Sequence, residues 1–208
     1  MKTQKYLALS ATAVAAAIAL AGCASGASGT SAPMNSMNGM DHGSMSGSAP
    51  ASSSPAAADH NAADTMFTQG MIPHHQQAVE MSDLMLGKSG IPAPVKDLAA
   101  RIKAAQGPEI ATMTGWLKAW NESATMAPGH TMEGMMGDDD LNGLTAAQGT
   151  EAAKLFLTQM IAHHQGAVTM AKTETTQGKN ADAVALAKSI VTAQEAEIKE
   201  MQGLLPTL

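Results

Sequence analysis

The stretch FTQGMIPHHQQAVEM, residues 67–81, recurs as FLTQMIAHHQGAVTM at residues 156–170, with nine of fifteen positions identical. A second match follows each copy, because IKAAQGPEIATM at 102–113 aligns with IVTAQEAEIKEM at 190–201. A repeat of this length is a duplicated unit, and the helical periodicity of its apolar residues gives each unit two helices. Two helical hairpins predict an all-α fold, a four-helix bundle.

The same periodicity places the helices along the chain. The predicted helices cover, in order, residues 62–86, 93–121, 146–178 and 181–205. Thr145 is the expected N-cap of the third helix, and Gly107-Pro108 predicts a kink in the second. The bundle then occupies residues 62–205, divided into repeat 1 (62–122), a Met-rich connection (123–144) and repeat 2 (145–205).

The N-terminus has the features of an export signal. Lys2 and Lys5 precede a short Ala-rich apolar run, and Leu20-Ala21-Gly22-Cys23 follows. This order is typical of a secretory signal peptide, here residues 1–22. The LAGC sequence resembles the bacterial lipobox, which implies cleavage before Cys23 and a lipid on its thiol. We therefore expect a lipoprotein of the bacterial cell envelope, on the extracytoplasmic side, that touches the membrane through its lipid alone. The alternative is a plain secretory signal with an incidental cysteine.

Composition excludes several classes of function. Charged residues make up 14% of the chain, the net charge is −6, and Lys and Arg form no block, so we expect no nucleic-acid partner. Aromatic residues make up 2%, which argues against a β-sandwich or barrel. The single cysteine excludes an internal disulfide and a multi-cysteine metal site. A G-x-S-x-G element is absent, and we expect no enzymatic activity.

The duplicated His-His pairs form the first candidate site. His74 and His163 fall inside the apolar stripes of their helices, whereas His75 and His164 fall on the flanks. A buried polar group costs about 1–3 kcal/mol unless it is paired. One interpretation is a hydrogen-bonded core network in which His74 and His163 pair with side chains of the facing helices, namely Gln106, Gln194, Glu109 and Glu197. The other is a metal site, since imidazole is a ligand for copper, zinc, iron and nickel.

Methionines lie beside these pairs at helical spacing. Met71 and Met160 stand three residues before His74 and His163, so they are candidate ligands. The other methionines of the repeats, including Met81 and Met170, have the spacing of core residues. Met fills irregular core space well, which is the simpler explanation for most of them.

A second set of methionines lies where core packing does not explain it. Residues 23–61 are rich in Ser, Ala, Gly and Met, which predicts a disordered tether, and the connection has a similar composition. Thioether prefers Cu(I), and imidazole accepts Cu(I) and Cu(II), so copper, mainly Cu(I), is the predicted ion. The alternative is low-complexity drift in unconstrained linkers. The candidate ligands in these two segments are Met34, Met37, Met40, His42, Met45, Met126, His130, Met132, Met135 and Met136.

The doubled MI-x-HH-x-x-AV-x-M pattern, each copy followed by Q-x-x-E-I-x-x-M, resembles the family called domain of unknown function 305. This resemblance implies a ferritin-like four-helix bundle that is secreted or lipid-anchored, and for some members copper binding and copper tolerance. It points to the matching positions here: Met71, His74, His75, Met81, Met160, His163, His164 and Met170. Asp64 has no equivalent in repeat 2, where Ala153 takes its place.

Three functions remain open at this point. The first is a copper-binding lipoprotein that sequesters or delivers the ion, with a copper exporter or copper oxidase as the candidate protein partner. The second is a structural or partner-binding bundle without metal. The third is a di-iron oxidoreductase, which the sequence disfavours because the E-x-x-H motif is absent and the core is poor in carboxylates.

Overall fold

The computed structural model describes residues 59–126 and 132–208, and in that part of the chain every regular element is helical. The helices are α1 (Ala62–Gly87), α2 (Ala93–Trp120), α3 (Asp138–Ala146), α4 (Gly149–Gln177) and α5 (Ala181–Leu204), followed by a 3-10 turn (Leu205–Thr207). The all-α prediction is confirmed. Some predicted features lie outside the described residues, namely the signal peptide, Cys23, Met34, Met37, Met40, His42, Met45 and His130.

The helix ends follow from local hydrogen bonding. Asn61 caps α1, because its side chain accepts from the backbone N–H of Ala63 at 2.8 Å. The predicted N-cap at Thr145 is wrong, since Thr145 lies inside α3 and the long helix begins at Gly149. The short helix α3 forms because Asp138–Asp140 occupy its first turn, where negative charge is stabilised by the helix dipole. Across Gly107-Pro108, where we predicted a kink, α2 is continuous.

Two helical hairpins make up the bundle. α1 packs most extensively on α2 and α4 on α5, while α1 and α4 meet between the hairpins. No helix among the described residues is long and apolar enough to cross a membrane.

The core consists of two apolar clusters separated by a polar layer. One cluster contains Met81, Leu98 and Phe156, and the other contains Phe67 and Leu117. On α1 and α4 the His-His pairs lie between the residues of the two clusters. On α2 and α5 the buried glutamines occupy the corresponding place. We call these residues the histidine layer: His74, His75, His163, His164, Gln106, Gln194, Glu109 and Glu197.

Candidate metal centre

All four histidines of the duplicated pairs are buried. The exposed fractions of His74, His75 and His164 are 0%, and that of His163 is 1%. His75 and His164 are therefore buried although they flank the apolar stripes of their helices. Because α1 touches both α2 and α4, and α4 touches both α1 and α5, each helix buries a wider arc than a single stripe.

Each repeat contains the same His–Glu pair, in which the imidazole is buried and the carboxylate is partly exposed. His75 Nε2 lies 2.8 Å from Glu109 Oε2, and the equivalent atoms of His164 and Glu197 are 2.7 Å apart. The predicted network assigned these glutamates to His74 and His163 instead, and that pairing is wrong. The second histidine of each pair faces its own hairpin partner helix, whereas the first faces the other repeat.

His74 and His163 meet at the interface between the repeats. Their ring centroids are 3.7 Å apart, with the planes tilted by 41°. Burial lowers the pKa of His74 to about 3 and that of His163 to about 2, and repulsion from neighbouring histidines adds to both shifts. Both rings are therefore neutral at physiological pH. A neutral imidazole retains the lone pair that a metal ion requires.

The ring nitrogens divide into anchored and unpaired atoms. His74 Nε2 donates to the backbone oxygen of Glu133 at 3.2 Å, and the Nε2 atoms of His75 and His164 donate to their glutamates. In the neutral ring of His74 the lone pair then belongs to Nδ1. The Nδ1 atoms of all four histidines are buried without a hydrogen-bond partner, and His163 Nε2 is as well. His74, His75 and His164 thus have the arrangement of a metal-binding histidine, with one nitrogen fixed and the other available.

The glutamines of the facing helices are buried as predicted. The exposed fraction is 2% for Gln106 and 4% for Gln194. Neither amide atom of Gln106 has a partner, and the oxygen of Gln194 has none. They therefore do not pair with His74 and His163. Across the described residues, no three His, Cys, Asp or Glu side chains group into a ready cation site.

Sequence reasoning missed Glu133, whose backbone covers the layer. Gly134 has a φ of 82°, and a Cβ on it would lie 2.7 Å from the Ala162 oxygen. A Cβ on Gly166 would collide with the Glu133 carbonyl. Two glycines thus let the connection approach the α4 backbone closely enough for the Glu133 oxygen to reach His74. The sequence does carry a signal of this contact, because Gln77 of repeat 1 corresponds to a glycine, Gly166, in repeat 2.

Gln77 anchors the same segment from α1. Its amide nitrogen donates to the Met136 oxygen at 2.9 Å, and its amide oxygen accepts from the Met136 nitrogen at 2.7 Å. Gln77 follows the first His-His pair by two positions. The connection is therefore held over the histidine layer by a side chain adjacent to the site.

The structure separates the candidate methionines into core and rim. Met71, Met81 and Met160 are fully buried in the apolar clusters. Met135 is half-buried, and Met136 packs on the cluster that contains Met81. The remaining three, Met126, Met132 and Met170, line one cavity near the start of α1. The ligand role of each methionine stays a prediction.

Asp64 has a structural role. Its carboxylate accepts from the backbone N–H groups of Asn61 at 2.6 Å and Asn180 at 2.9 Å. Burial would raise the pKa of Asp64, but the neighbouring Glu174 carboxyl and the backbone N–H groups lower it overall. Burial and the nearby Asp64 raise the pKa of Glu174 to about 8. This carboxyl pair joins the start of α1 to the α4–α5 link.

Comparison with known proteins agrees with the duplicated helical fold. The family model "Domain of unknown function (DUF305)" matches residues 64–205, and this chain belongs to that family. None of the curated proteins matches the chain significantly.

Several solved structures, two of them of DUF305 proteins, are similar to most of the chain. A DUF305 protein of Streptomyces coelicolor, provisionally assigned as secreted, is 35% identical, with a TM-score of 0.67 over 73% of this chain and 94% of that one. A DUF305 fragment from Deinococcus radiodurans is 32% identical, with a TM-score of 0.65 over 71% and 98%. CopM in its Cu(I)-bound form is 33% identical, with a TM-score of 0.60 over 69% and 96%. CopM has also been solved with Cu(II), with silver and in the apo form.

Proposed function

We propose that this protein binds copper outside the cytoplasm, anchored to the bacterial membrane by a lipid on Cys23. It sequesters or delivers the ion, contributes to copper tolerance and catalyses no reaction. Copper is cargo, and Cu(I) is favoured over Cu(II) because the donors include soft thioethers beside the imidazoles. The observation that supports this best is the histidine layer, in which four buried imidazoles each keep an unpaired Nδ1.

Energetics favour a ligand in this layer. Each unpaired buried nitrogen costs about 1–3 kcal/mol, and bonding to a metal ion removes that cost. His74 and His163 need not lose a proton to bind at neutral pH, because burial already keeps them neutral. Glu109 and Glu197 would fix the outer rings through Nε2 and leave Nδ1 for the ion.

The family relationship supports copper as the ion. CopM, which is 33% identical to this chain, has been solved with Cu(I) and with Cu(II) bound. A silver-bound form of CopM also exists, and silver in its common oxidation state is a soft monovalent ion like Cu(I).

The purely structural alternative draws on the two His–Glu pairs, which satisfy the Nε2 atoms of His75 and His164. It gives no role to the unpaired Nδ1 atoms. A di-iron enzyme has less support, because the two glutamates of the histidine layer are each engaged by a histidine of their own repeat.

A competition titration tests the proposal. The purified protein is titrated with Cu(I), Cu(II), Zn(II) and Fe(II) against chelators of known affinity. We expect Cu(I) to bind most tightly. H74L and H163L should each lower the affinity for Cu(I) by about a hundredfold or more, since each removes a ligand. Replacing the methionines of the tether and connection with leucine should reduce the amount of Cu(I) bound. H60A is the matched control, because His60 stacks on Trp120 outside the histidine layer.

Two results would contradict the proposal. One is an affinity for Cu(I) no higher than that for Zn(II) or Fe(II). The other is an unchanged Cu(I) affinity in H74L and H163L, provided that circular dichroism shows both variants folded.

A further inference from the structure

A cavity of about 210 Å³ lies near the start of α1, beside the apolar cluster that contains Phe67. Four methionine side chains line it: Met66, Met126, Met132 and Met170. Gly70, which also lines the cavity, precedes His74 by four residues. At a rise of about 1.5 Å per residue, the cavity is roughly one helical turn from the histidine layer. We call these residues the methionine cavity.

Gly70 is the point at which two sulfur atoms converge. A Cβ on Gly70 would lie 3.4 Å from Met126 Sδ and 3.6 Å from Met170 Sδ. The two sulfurs are therefore less than about 7 Å apart, and both lie over the same bare patch of helix. Met has three flexible side-chain torsions, so small rotations can bring both sulfurs onto one metal ion.

Met66 keeps the cavity open to solvent. Among the described residues, Met66 is the one large hydrophobic residue that is exposed, with an exposed fraction of 49%. An apolar side chain at this position gains little from packing, whereas a thioether at the rim can receive a soft ion from solution. An ion can thus reach the cavity without opening the bundle.

The lining also indicates which cations fit. Thr173, Glu174 and Gln177 supply the oxygen-bearing side chains of the wall, while four thioethers supply the rest of the donors. Calcium and magnesium need six or more oxygen ligands, which this wall does not offer. Thioether donors favour Cu(I) and ions of similar softness.

We propose that Met66, Met126, Met132 and Met170 form a second, thioether site for one monovalent soft cation, Cu(I) or Ag(I), separate from the histidine layer. The choice of ion rests on the proposed function, whereas the site itself rests on the convergence of the Met126 and Met170 sulfurs and on the four methionines that line one cavity.

Methionine-methyl NMR of the full chain tests this site directly. The protein is labelled with ¹³C in the methionine methyl groups and titrated with silver nitrate in chloride-free buffer. We expect the methyl signals of the four cavity methionines to shift together and to saturate at the same silver concentration. Met85 and Met201 are internal references, because both are fully buried in the other part of the core. Zn(II) should leave the four signals unmoved.

Matched variants assign the shifts. M126L combined with M170L should weaken the silver-dependent shift of Met66 and Met132 by at least about tenfold, with little effect on folding because Met and Leu have similar volumes. The control variant changes the four methionines of the tether, Met34, Met37, Met40 and Met45, to leucine, and should leave the cavity shifts intact.

The outcomes separate this site from the histidine layer. H74L combined with H163L should leave the silver-dependent shifts of the cavity in place. The proposal is overturned if the four signals do not move, if they move equally in the M126L/M170L variant, or if they disappear in the histidine variant. The first two results would leave the proposed function standing on the histidines alone.

Discussion

The two repeats are alike at the histidine layer and different where the connection crosses them. His75 meets Glu109 at 2.8 Å in repeat 1, and His164 meets Glu197 at 2.7 Å in repeat 2. One helical turn or less away, the equivalent positions differ, since Gln77 in repeat 1 corresponds to Gly166 in repeat 2. Duplication therefore accounts for the layer but not for what covers it.

The differences follow a rule. Gln77 binds the backbone of Met136, and its equivalent Gly166 leaves space for Glu133. Gln159 donates to the Asp140 oxygen at 3.0 Å, and its equivalent Gly70 leaves space for Met126. At each of these two positions, one repeat holds the connection and the other makes room for it. A single connection cannot be symmetric about two equivalent hairpins, so the sequence diverges at these contacts.

The largest effect should come from filling the space at Gly166. In G166A the new Cβ collides with the Glu133 carbonyl, which is backbone and cannot rotate away. We expect the free energy of unfolding to fall by about 3 kcal/mol, with loss of the hydrogen bond to His74. Urea denaturation measures this change.

The glycine at the other position serves as the control. In G70A the Cβ meets only the Met126 and Met170 sulfurs at 3.4 and 3.6 Å, at the ends of flexible side chains. Its effect should stay below about 1 kcal/mol, since helix propensity favours Ala. Equal losses in G166A and G70A would show that the connection does not depend on close approach at Gly166.

Acid should destabilise the apo protein through the layer that the repeats share. His74 and His163 have a folded pKa of about 3 and about 2, below the ordinary histidine value of 6.5, so the unfolded chain binds more protons below pH 6.5. Stability from both histidines is fully present above pH 6.5 and is lost as the pH falls, at about 1.4 kcal/mol per pH unit for each.

Glu174 opposes this loss of stability in acid. It pairs with Asp64, which has no equivalent in repeat 2. The folded pKa of Glu174, about 8, lies above the ordinary glutamate value of 4.5, so its contribution to stability grows as the pH falls from 8 to 4.5. Between pH 6 and pH 5 we expect the free energy of unfolding to fall by about 2 kcal/mol in E174Q and by about half as much in the wild type. Urea denaturation at the two pH values measures both. The same pH dependence in E174Q and in E174Q/H163L would contradict the role of His163.

The anchors of the connection should rank by their hydrogen bonds. Q77L removes two bonds to the Met136 backbone, whereas Q159L removes one to Asp140. We expect losses of about 2 and 1 kcal/mol, respectively, from the free energy of unfolding. Only Q77L should also expose backbone amides of residues 133–136 in hydrogen exchange, because Q159L leaves that segment anchored. The reverse order would mean that α4 rather than α1 holds the connection.

The repeat made most of the fold predictable. Helical periodicity and the aligned copies predict four long helices, and the observed α1 and α2 begin at the predicted residues. Helix α3 was missed because its sequence is rich in Gly and Asp, and its stability comes from charge at the first turn and from packing on α4. Periodicity does not report such tertiary support.

The site was predictable in composition but not in its pairing. The positions of His74 and Gln106 on their helices correctly predicted burial. The pairing of His75 with Glu109 depends on helix rotation and axial register across the hairpin, which a single-helix projection does not contain. Glu133 contributes through its backbone oxygen, and a backbone contact leaves no mark on residue type at its own position.

The shared glutamates offer the finest comparison between the repeats. E109Q and E197Q keep a hydrogen-bond acceptor for Nε2 but remove the carboxylate charge that orients and polarises each imidazole. If copper binds through both repeats, each variant should lower the affinity for Cu(I) by about tenfold, which corresponds to about 1.4 kcal/mol. A competition titration with a Cu(I) chelator measures both. E195Q is the matched control, because Glu195 is exposed and pairs with Lys172 outside the histidine layer.

Comparing the two variants shows whether one repeat or both repeats bind the ion. Equal losses mean that the ion is shared across the interface at which His74 and His163 meet, 3.7 Å apart. A loss confined to one variant means that one hairpin binds the ion alone and the other histidine pair only packs the core. If neither variant differs from E195Q, the His–Glu pairs do not tune metal binding, and their role in each repeat is to satisfy buried imidazoles.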